Sequence, residues 1–299
     1  MISIIIANYN RKDLLRECLD SLRGQSFKDF EIIVIDNTST DGSVEMVKVN
    51  YPEVKLICNT INLLFCRAQN QGIDVSTGNF ILCLNSDCFL DKDYLKEALY
   101  AISLDDRIGM VSGKILRMDK ETIDSTGLFL GRNRKAIERG YSKKDKGQYE
   151  KAGYVFGVSG ACAFFRKSML LDIKDKNGYF DERFGMYYED LDLCWRANKR
   201  AWKAYYNPKA VAYHVRAGTA VIHKGRAGLP VLRSFSGGGN LPYLREDLKK
   251  MYIINRYRCM AKTDSIFGFL VNLPFILCYN IKLWFYCIFD SIFSRFLKK

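Results

Sequence analysis

Short apolar runs alternate with amphipathic segments along the first third of the chain. Residues 2–7 are rich in isoleucine, and residues 14–22 then place leucines and a cysteine at helical spacing. Residues 31–36 and 80–84 are again short apolar runs. Continuous apolar runs of this length are typical of strands buried on both faces of a parallel sheet. The alternation therefore predicts βαβ units with right-handed crossovers, in an open, doubly wound α/β sheet.

Length and cysteine usage set the class of protein. With 299 residues, 48% of them hydrophobic, the chain can form one large or two smaller domains and a core that needs no disulfides. The ten cysteines contain no C-x-x-C pair, which is typical of small buried side chains in a reducing compartment. The first apolar run is too short for a signal peptide, so we expect the catalytic part to be cytoplasmic.

The formal net charge of +13 favours an anionic partner. Nucleic acid, a lipid surface and a phosphorylated substrate all fit such a balance. Because the basic residues are scattered rather than grouped, we expect no nucleic-acid partner.

Polar residues follow the predicted strands where ligands bind in an open parallel sheet, outside the carboxyl ends. The first strand ends at Ala7-Asn8-Tyr9, the second at Asp36-Asn37 and the fourth at Asn85-Ser86-Asp87. Asp87 suits a divalent cation that carries a diphosphate, and Asp36 suits a hydrogen bond from a base N–H. A turn or cap is the alternative role of each.

Two nucleotide-binding signatures are missing from the sequence. No G-x-G-x-x-G follows the first strand, and no G-x-x-x-x-G-K-[ST] occurs. A dinucleotide oxidoreductase and a P-loop NTPase are therefore disfavoured.

Two candidates come from the later part of the chain. Glu189, Asp190 and Asp192 crowd the first turn of a predicted helix, whose N-terminus favours ionised carboxylates. Such a carboxylate can act as general base on an acceptor hydroxyl, although an ordinary acidic helix start is the alternative. His214, one of two histidines with His223, ends a short apolar strand and suits a metal ligand or a structural role.

Three other segments have distinct patterns. Residues 119–153 are polar and glycine-rich, which predicts a mobile insertion over the site. Residues 155–165 return to apolar strand character, and residues 215–240 are typical of a loop.

The C-terminal segment, residues 264–299, is dense in aromatic and aliphatic residues. It is long enough to span a membrane, but we expect Pro274 to break it. With a basic end at Arg295, Lys298 and Lys299, it favours an interfacial amphipathic anchor over a span. A helix packed on the catalytic domain is the alternative. We therefore expect a catalytic domain over residues 1–215 and a loop and helix extension over residues 216–263.

Together, the sequence motifs at these strand ends resemble those of glycosyltransferase family 2, which has the GT-A fold. Asn85-Ser86-Asp87 stands in the place of that family's D-x-D motif. The sub-pattern is most similar to rhamnosyltransferase-like members. The blocks that carry the resemblance, in order within residues 1–215, are 4–11 with 31–42, then 62–72, 84–87, and 178–182 with 188–196 and 208–214.

The resemblance implies a role for each matching residue. Tyr9 would stack on the nucleotide base, and Asp36 would bind its N–H. Asp190 would be the catalytic base. Asp87 and His214 would hold Mg²⁺ or Mn²⁺ on the diphosphate. The resemblance implies donor-binding positions at Ala7, Tyr9, Asp36, Arg67, Asn85, Ser86 and Asp87, and an acceptor side at Gly160, Ala161 and Glu189.

The implied reaction is an inverting transfer of a sugar from a dTDP- or UDP-sugar, with rhamnose favoured, to a saccharide acceptor. The basic surface and the aromatic tail favour an acceptor linked to polyprenyl diphosphate at the cytoplasmic face of the membrane, in cell-surface polysaccharide synthesis. A nucleotidyltransferase and a catalytically silent nucleotide-sugar-binding scaffold are the alternatives.

Three departures from the family pattern bear on this reaction. Asn85 replaces the first Asp of D-x-D and adds no charge, so metal binding leans on His214. Leu64 stands where the second block usually has glycine. The Q-x-x-R-W motif of processive synthases is missing, so we expect one sugar or a few to be added rather than a polymer.

Overall fold

The computed structural model describes residues 1–216 and 246–296, and the side chains of residue 246 and of residues 288–296 are excluded from the description. His223 and most of the predicted loop over residues 215–240 lie outside the described residues. The chain divides into two compact units, Met1–Phe129 with Ala136–Gly218 and Leu130–Lys135 with Thr219–Lys299. Sequence patterns did not separate residues 130–135 from their neighbours.

The first unit is built on a ten-stranded sheet, with a separate two-stranded hairpin of β8 and β9. Its strands are β1 (Ile2–Asn8), β2 (Phe30–Asp36), β3 (Lys55–Cys58), β4 (Phe80–Asn85), β5 (Cys88–Leu90), β6 (Ile108–Arg117), β7 (Ile123–Ser125), β8 (Leu128–Leu130), β9 (Ala136–Glu138), β10 (Gly153–Val155), β11 (Cys162–Arg166) and β12 (Lys203–His214). Its helices are α1 (Lys12–Arg23), α2 (Ser43–Asn50), α3 (Leu64–Asp74), α4 (Tyr94–Ser103), α5 (Lys167–Ile173) and α6 (Glu189–Lys199).

The strand order is β10-β12-β6-β11-β4-β1-β2-β3, with β5 paired to β12 and β7 to β6. Strands β3, β2, β1 and β4 are mutually parallel, whereas β11 runs antiparallel between β4 and β6. The architecture is the predicted α/β GT-A fold, with a mostly parallel, Rossmann-like sheet.

Helices cover both faces of the sheet because both faces of β1 are apolar. Ile2, Ile4 and Ile6 share one buried cluster with residues of α1, α2 and α4. Ile5 faces the other side, where α3 packs so closely that a Cβ added at Gly72 would lie 2.2 Å from the Ile5 side chain. The hydrophobic core therefore lies on both faces of the sheet.

The polar segment over residues 119–153 is not an irregular loop. It contains β7 and the hairpin of β8 and β9, and Asp124 within it is fully buried. The predicted strand over residues 155–165 is also corrected, because it is divided between β10 and β11, which pair with different strands. Gly157 and Gly160 lie in the loop between them. Glycine weakens a strand interior, which accounts for the interruption.

The second unit contains two helices, α7 (Glu246–Thr263) and α8 (Ile266–Phe296). They run antiparallel: Nη1 of Arg256 donates to Oδ1 of Asn280 at 2.7 Å, and Nζ of Lys249 lies 5.9 Å from the ring centre of Tyr286. In the same unit, Nε of Arg134 forms an ion pair with Oδ2 of Asp264 at 2.6 Å.

The predicted break at Pro274 is wrong, because α8 continues through it. Proline fixes φ at a value compatible with a helix and costs one backbone hydrogen bond, which a long helix can tolerate. Residues Ile266–Cys287 of α8 are long and apolar enough to cross a membrane, and 17% of the most apolar part of that stretch is buried. A buried helix of a soluble protein can pass the same test of length and composition.

Candidate active site

The carboxyl ends of three neighbouring strands lie side by side at one edge of the sheet. In the register, Asn8 of β1 lies opposite Asp36 of β2, and Ala7 opposite Asn85 of β4. The structure therefore brings together the strand-end residues predicted from the sequence. Next to them, Ser86 is buried and Tyr9 is 48% exposed, so the Tyr9 ring has a free surface on which a flat group can stack.

Asp36 is held in a fixed orientation at this edge. Oδ2 accepts a hydrogen bond from Nδ2 of Asn8 at 3.0 Å, and Oδ1 accepts one from the backbone N–H of Ser39 at 2.8 Å. The bond from Ser39, three residues on, shows that Asp36 has the turn role that was its alternative in the sequence. A carboxylate has about four lone-pair positions, so these bonds leave capacity for a base N–H.

Asp87 and His214 meet just beyond the end of β4. His214 is the last residue of β12, and there it pairs with Cys88, the residue after Asp87. Nε2 of His214 lies 3.2 Å from Oδ1 of Asp87, and both side chains are buried. Burial acts to raise the pKa of Asp87, but the hydrogen bond from His214 and the positive charges of His214 and Arg11 together outweigh it, and the pKa is lowered.

His214 lies between two carboxylates. Its Nδ1 contacts Oδ2 of Asp124 at 2.8 Å, on the side of the ring opposite Asp87. Burial acts to lower the pKa of His214, but the hydrogen bonds with Asp124 and Asp87 outweigh it and raise the pKa to about 9. Burial likewise acts against ionisation of Asp124, yet the bond with His214 and the charge of Arg216 keep its pKa low.

The Asp87–His214 pair fits a divalent cation. Neighbouring ligands of an octahedral ion, at about 2.1 Å from it, are about 3 Å apart, which is close to the observed separation. The described residues contain no group of three or more His, Cys, Asp or Glu side chains placed to hold a metal ion. Two protein ligands suit a cation that takes its other ligands from a diphosphate and water.

Asp190 lies at the start of α6, after two residues in an uncommon backbone conformation. Tyr187 and Tyr188 both have φ of 69°, which turns the chain sharply into the helix. Oδ2 of Asp190 accepts a hydrogen bond from the backbone N–H of Gly160 at 3.1 Å. The backbone carbonyl of Ala161 accepts one from the N–H of Asn85 at 2.9 Å. The loop over residues 159–161 thus connects Asp190 to the end of β4.

Burial governs the protonation of the carboxylates on α6. It raises the pKa of Asp190, although backbone hydrogen bonds from Gly160 and Leu191 oppose the shift. It also raises the pKa of Glu189 well above its ordinary value, and the charge of Asp190 adds to that shift. An aspartate with a raised pKa is a better proton acceptor than an ordinary one.

Two other predicted side chains have local partners. Asp192 is fully buried and forms an ion pair with Nε of Arg196 at 2.8 Å, which is a structural role within α6. Arg67 is 60% exposed on α3, and in the described part of the chain its ion pair is with Glu182 at 3.6 Å.

Sequence patterns missed Asp124, Glu138 and Arg216. Asp124 and Glu138 belong to the polar segment that predicted an insertion. Glu138 accepts hydrogen bonds from Ser125 and, at 2.9 Å, from Oγ of Ser159, the residue before Gly160. Nε of Arg216 lies 2.5 Å from Oδ1 of Asp124. One available signal was Thr122-Ile123 immediately before Asp124, because β-branched residues are enriched in strands.

Comparison with known proteins assigns the family. The profile described as "Glycosyl transferase family 2" matches residues 3–173. The chain belongs to this family of glycosyltransferases. It is 28% identical over 236 residues to the amylovoran biosynthesis glycosyltransferase AmsB of Erwinia amylovora, covering 75% of this chain and 73% of that protein.

A second relative is longer. The chain is 25% identical over 215 residues to a poly-beta-1,6-N-acetyl-D-glucosamine synthase of Staphylococcus epidermidis. The match covers 71% of this chain and 49% of the synthase, so it spans about half the length of that relative.

A solved structure supports the fold. The mannosyltransferase PcManGT of Pyrobaculum calidifontis, in complex with GDP-Man and Mn²⁺, superposes with a TM-score of 0.56 at 16% identity. The alignment covers 100% of this chain and 88% of that one. At this identity the likeness shows the shared GT-A fold.

Proposed function

We propose that this chain is an inverting, metal-dependent glycosyltransferase of polysaccharide synthesis that adds one sugar from a nucleotide-sugar to a saccharide acceptor. The observation that carries the proposal is the loop over residues 159–161. It contacts Asp190 through Gly160 and the end of β4 through Ala161. The loop thereby connects Asp190, the candidate base, to the end of β4, two residues before the candidate metal ligand Asp87.

The donor side is assigned to the ends of β1, β2 and β4. Tyr9 offers an exposed ring for base stacking, and Asp36 offers a carboxylate held in place by Asn8. Ala7, Asn85 and Ser86, next to Asp87 at the ends of β1 and β4, are also assigned to the donor, and Arg67 is assigned to the diphosphate. A divalent cation held by Asp87 and His214 would offset the charge that develops on the departing nucleoside diphosphate.

Asp190 is assigned as the general base that accepts the proton of the acceptor hydroxyl. The backbone N–H groups of Gly160 and Leu191 orient its two oxygens, and burial raises its pKa. Glu189, next to it in sequence, and Gly160 and Ala161, in the loop that contacts it, are assigned to the acceptor side. Attack from this side, opposite the leaving group, inverts the configuration of the anomeric carbon.

The partners in this proposal are a dTDP- or UDP-sugar and a saccharide linked to polyprenyl diphosphate. The rhamnosyltransferase-like pattern makes dTDP-rhamnose the first donor to test. The long apolar helix α8 and the net charge of +13 support attachment at the cytoplasmic face of an anionic membrane. The similarity to AmsB, a glycosyltransferase of amylovoran biosynthesis, and to a staphylococcal poly-beta-1,6-N-acetyl-D-glucosamine synthase supports a role in cell-surface polysaccharide synthesis.

A donor screen tests this function. Unfolding temperatures of the full chain are measured with dTDP-, UDP- and GDP-sugars, with and without Mn²⁺, because a ligand that binds only the folded state raises stability. We expect a Mn²⁺-dependent rise with one nucleotide class. The same donor is then incubated with extracted lipid-linked saccharides, and transfer of labelled sugar is measured. Donor binding without transfer to any acceptor would favour the silent scaffold.

A further inference from the structure

Helix α8 has one buried face within its own unit. Its deeply buried side chains are Ile276, Tyr279, Leu283 and Tyr286, which recur every three or four residues and form a single stripe. That stripe faces α7, because Arg256 of α7 bonds to Asn280 and lies 4.7 Å from the ring centre of Tyr279. The two helices therefore form an antiparallel hairpin.

The opposite face of α8 is apolar and exposed. At about 100° per residue, its centre lies about 180° from the buried stripe. The exposed fractions there range from 51% at Leu277 to 83% at Ile266. Lys282 lies at the flank. The side chains that form this apolar face are Ile266, Phe267, Leu270, Leu277, Ile281 and Trp284.

The hairpin does not suit a membrane-spanning α8. Arg256 is level with Asn280, near the middle of the apolar stretch Ile266–Cys287, and its Nη2 donates to the backbone carbonyl of Asn133. A span would carry this guanidinium into the hydrocarbon. A charge at that depth costs at least about 2.5 kcal/mol even on the most permissive scale.

A lipid surface accounts for the exposed face better than a protein partner. From Ile266 to Trp284 the apolar face extends for about 27 Å, with bulky aromatic and aliphatic side chains throughout. Trp284 and Lys282 adjoin near one end, and both residue types favour the border between headgroups and acyl chains. Basic residues outnumber acidic ones in this unit, which complements anionic headgroups.

We propose that the α7–α8 hairpin lies in the plane of an anionic membrane, with the apolar face of α8 inserted at the headgroup–acyl boundary and α7 above it. This inference rests on the membrane attachment in the proposed function and specifies its geometry. An in-plane helix of this kind is buried to a depth of about 5–10 Å along its whole length. Arg256 and the charges of α7 then stay on the water side.

Depth measurements along α8 test the proposal. Tryptophan is placed singly at Phe267, Leu270, Leu277 or Ile281 in a Trp284→Phe chain, and Trp284 itself is used in the native chain. Trp195 and Trp202 belong to the first unit, the catalytic unit that contains the candidate active site, and they supply a constant background. The proteins are bound to phosphatidylcholine–phosphatidylglycerol vesicles whose acyl chains are brominated at a shallow or a deep carbon, and quenching of fluorescence is measured.

Uniform quenching by the shallow bromine at all five positions is the expected result. A depth profile that is greatest at Leu277 and least at Phe267 and Trp284 would show a span and overturn the proposal. Absence of quenching, with a dimer in light scattering, would assign the apolar face to a second copy and also overturn it.

A charge substitution gives a second readout. Leu277→Glu should abolish flotation of the full chain with the same vesicles. Val49→Glu, at a residue that is 78% exposed on α2, is the matched control and should float normally. The thermal shift with a nucleotide-sugar is measured on each variant, so failure of membrane binding is distinguished from failure of the glycosyltransferase function.

Discussion

Oδ2 of Asp124 accepts a hydrogen bond from Nδ1 of His214 at 2.8 Å, while Nε2 of the same ring faces Asp87 at 3.2 Å. A buried carboxylate on one imidazole nitrogen fixes both the orientation of the ring and the nitrogen that carries the proton. Once Nε2 has given up the proton that it shares with Asp87, its lone pair would be directed towards the space beside Asp87, where a cation would bind. Asp124 is therefore a positioning residue for the candidate metal site.

Asp124→Asn should weaken binding of Mn²⁺ by about 10- to 100-fold, because an amide can donate to Nδ1 and favour the wrong tautomer. Binding is measured by electron paramagnetic resonance of free Mn²⁺ in the presence of the preferred nucleoside diphosphate. Asp106→Asn, at an exposed carboxylate on the surface, is the control and should bind normally. Equal Mn²⁺ affinity in both variants would contradict the role of Asp124.

Asp190→Asn should lower kcat by about 10²- to 10⁴-fold, because the amide cannot accept the proton of the acceptor hydroxyl. Donor binding should be unchanged, since the residues assigned to the donor lie at the ends of β1, β2 and β4 and at Arg67 of α3, and do not include Asp190. Turnover is measured with labelled donor, and donor affinity by calorimetry. If kcat is retained while KM for the acceptor rises, Asp190 binds the acceptor and is not the base.

Glu138→Gln should change the pH dependence of stability. Burial raises the pKa of Glu138 from an ordinary 4.5 to about 7, against the opposing charge of Arg216 and with the support of Asp190 and Asp124. Between these values the folded state binds more protons at this group than the unfolded chain, so stability falls as the pH rises. Glutamine has no charge to bury, and its contribution is therefore independent of pH.

The unfolding temperature of the Glu138→Gln variant, relative to the native chain, should consequently be higher at pH 8 than at pH 5. Calorimetric scans at both pH values measure the difference. An equal difference at the two pH values would show that Glu138 has an ordinary pKa in the folded protein.

Gly72→Ala should destabilise the catalytic unit by about 1–3 kcal/mol, because the added methyl group overlaps the Ile5 side chain and forces β1 and α3 apart. Gly24→Ala is the matched control, since its added Cβ would meet its nearest atoms at 3.5 Å, an ordinary contact. Urea unfolding measures both. Equal stability of the two variants would mean that α3 shifts at little cost.

Local patterns were sufficient for the strands and helices that are regular over several residues. The isoleucine runs of β1 and β2 predict a buried parallel sheet, and parallel strands bring Ala7, Asp36 and Asn85 to one edge. Asp124 and Glu138 were not predicted, because they lie in strands of three residues whose pairing depends on distant segments. The break predicted at Pro274 was wrong for a related reason. The rule that proline breaks a helix considers only neighbouring residues and ignores the length of helix on either side.

The last strand of the catalytic unit in chain order, β12, lies inside the sheet, between β10 and β6. A chain still on the ribosome and shorter than 203 residues therefore presents an open edge on β6 and lacks His214. Unpaired strand edges can recruit other strands, so this edge of the growing polypeptide is open to aggregation until β12 fills the gap. Catalytic competence would thus arise in a single late step of biosynthesis, and nascent fragments would be unable to consume activated sugar.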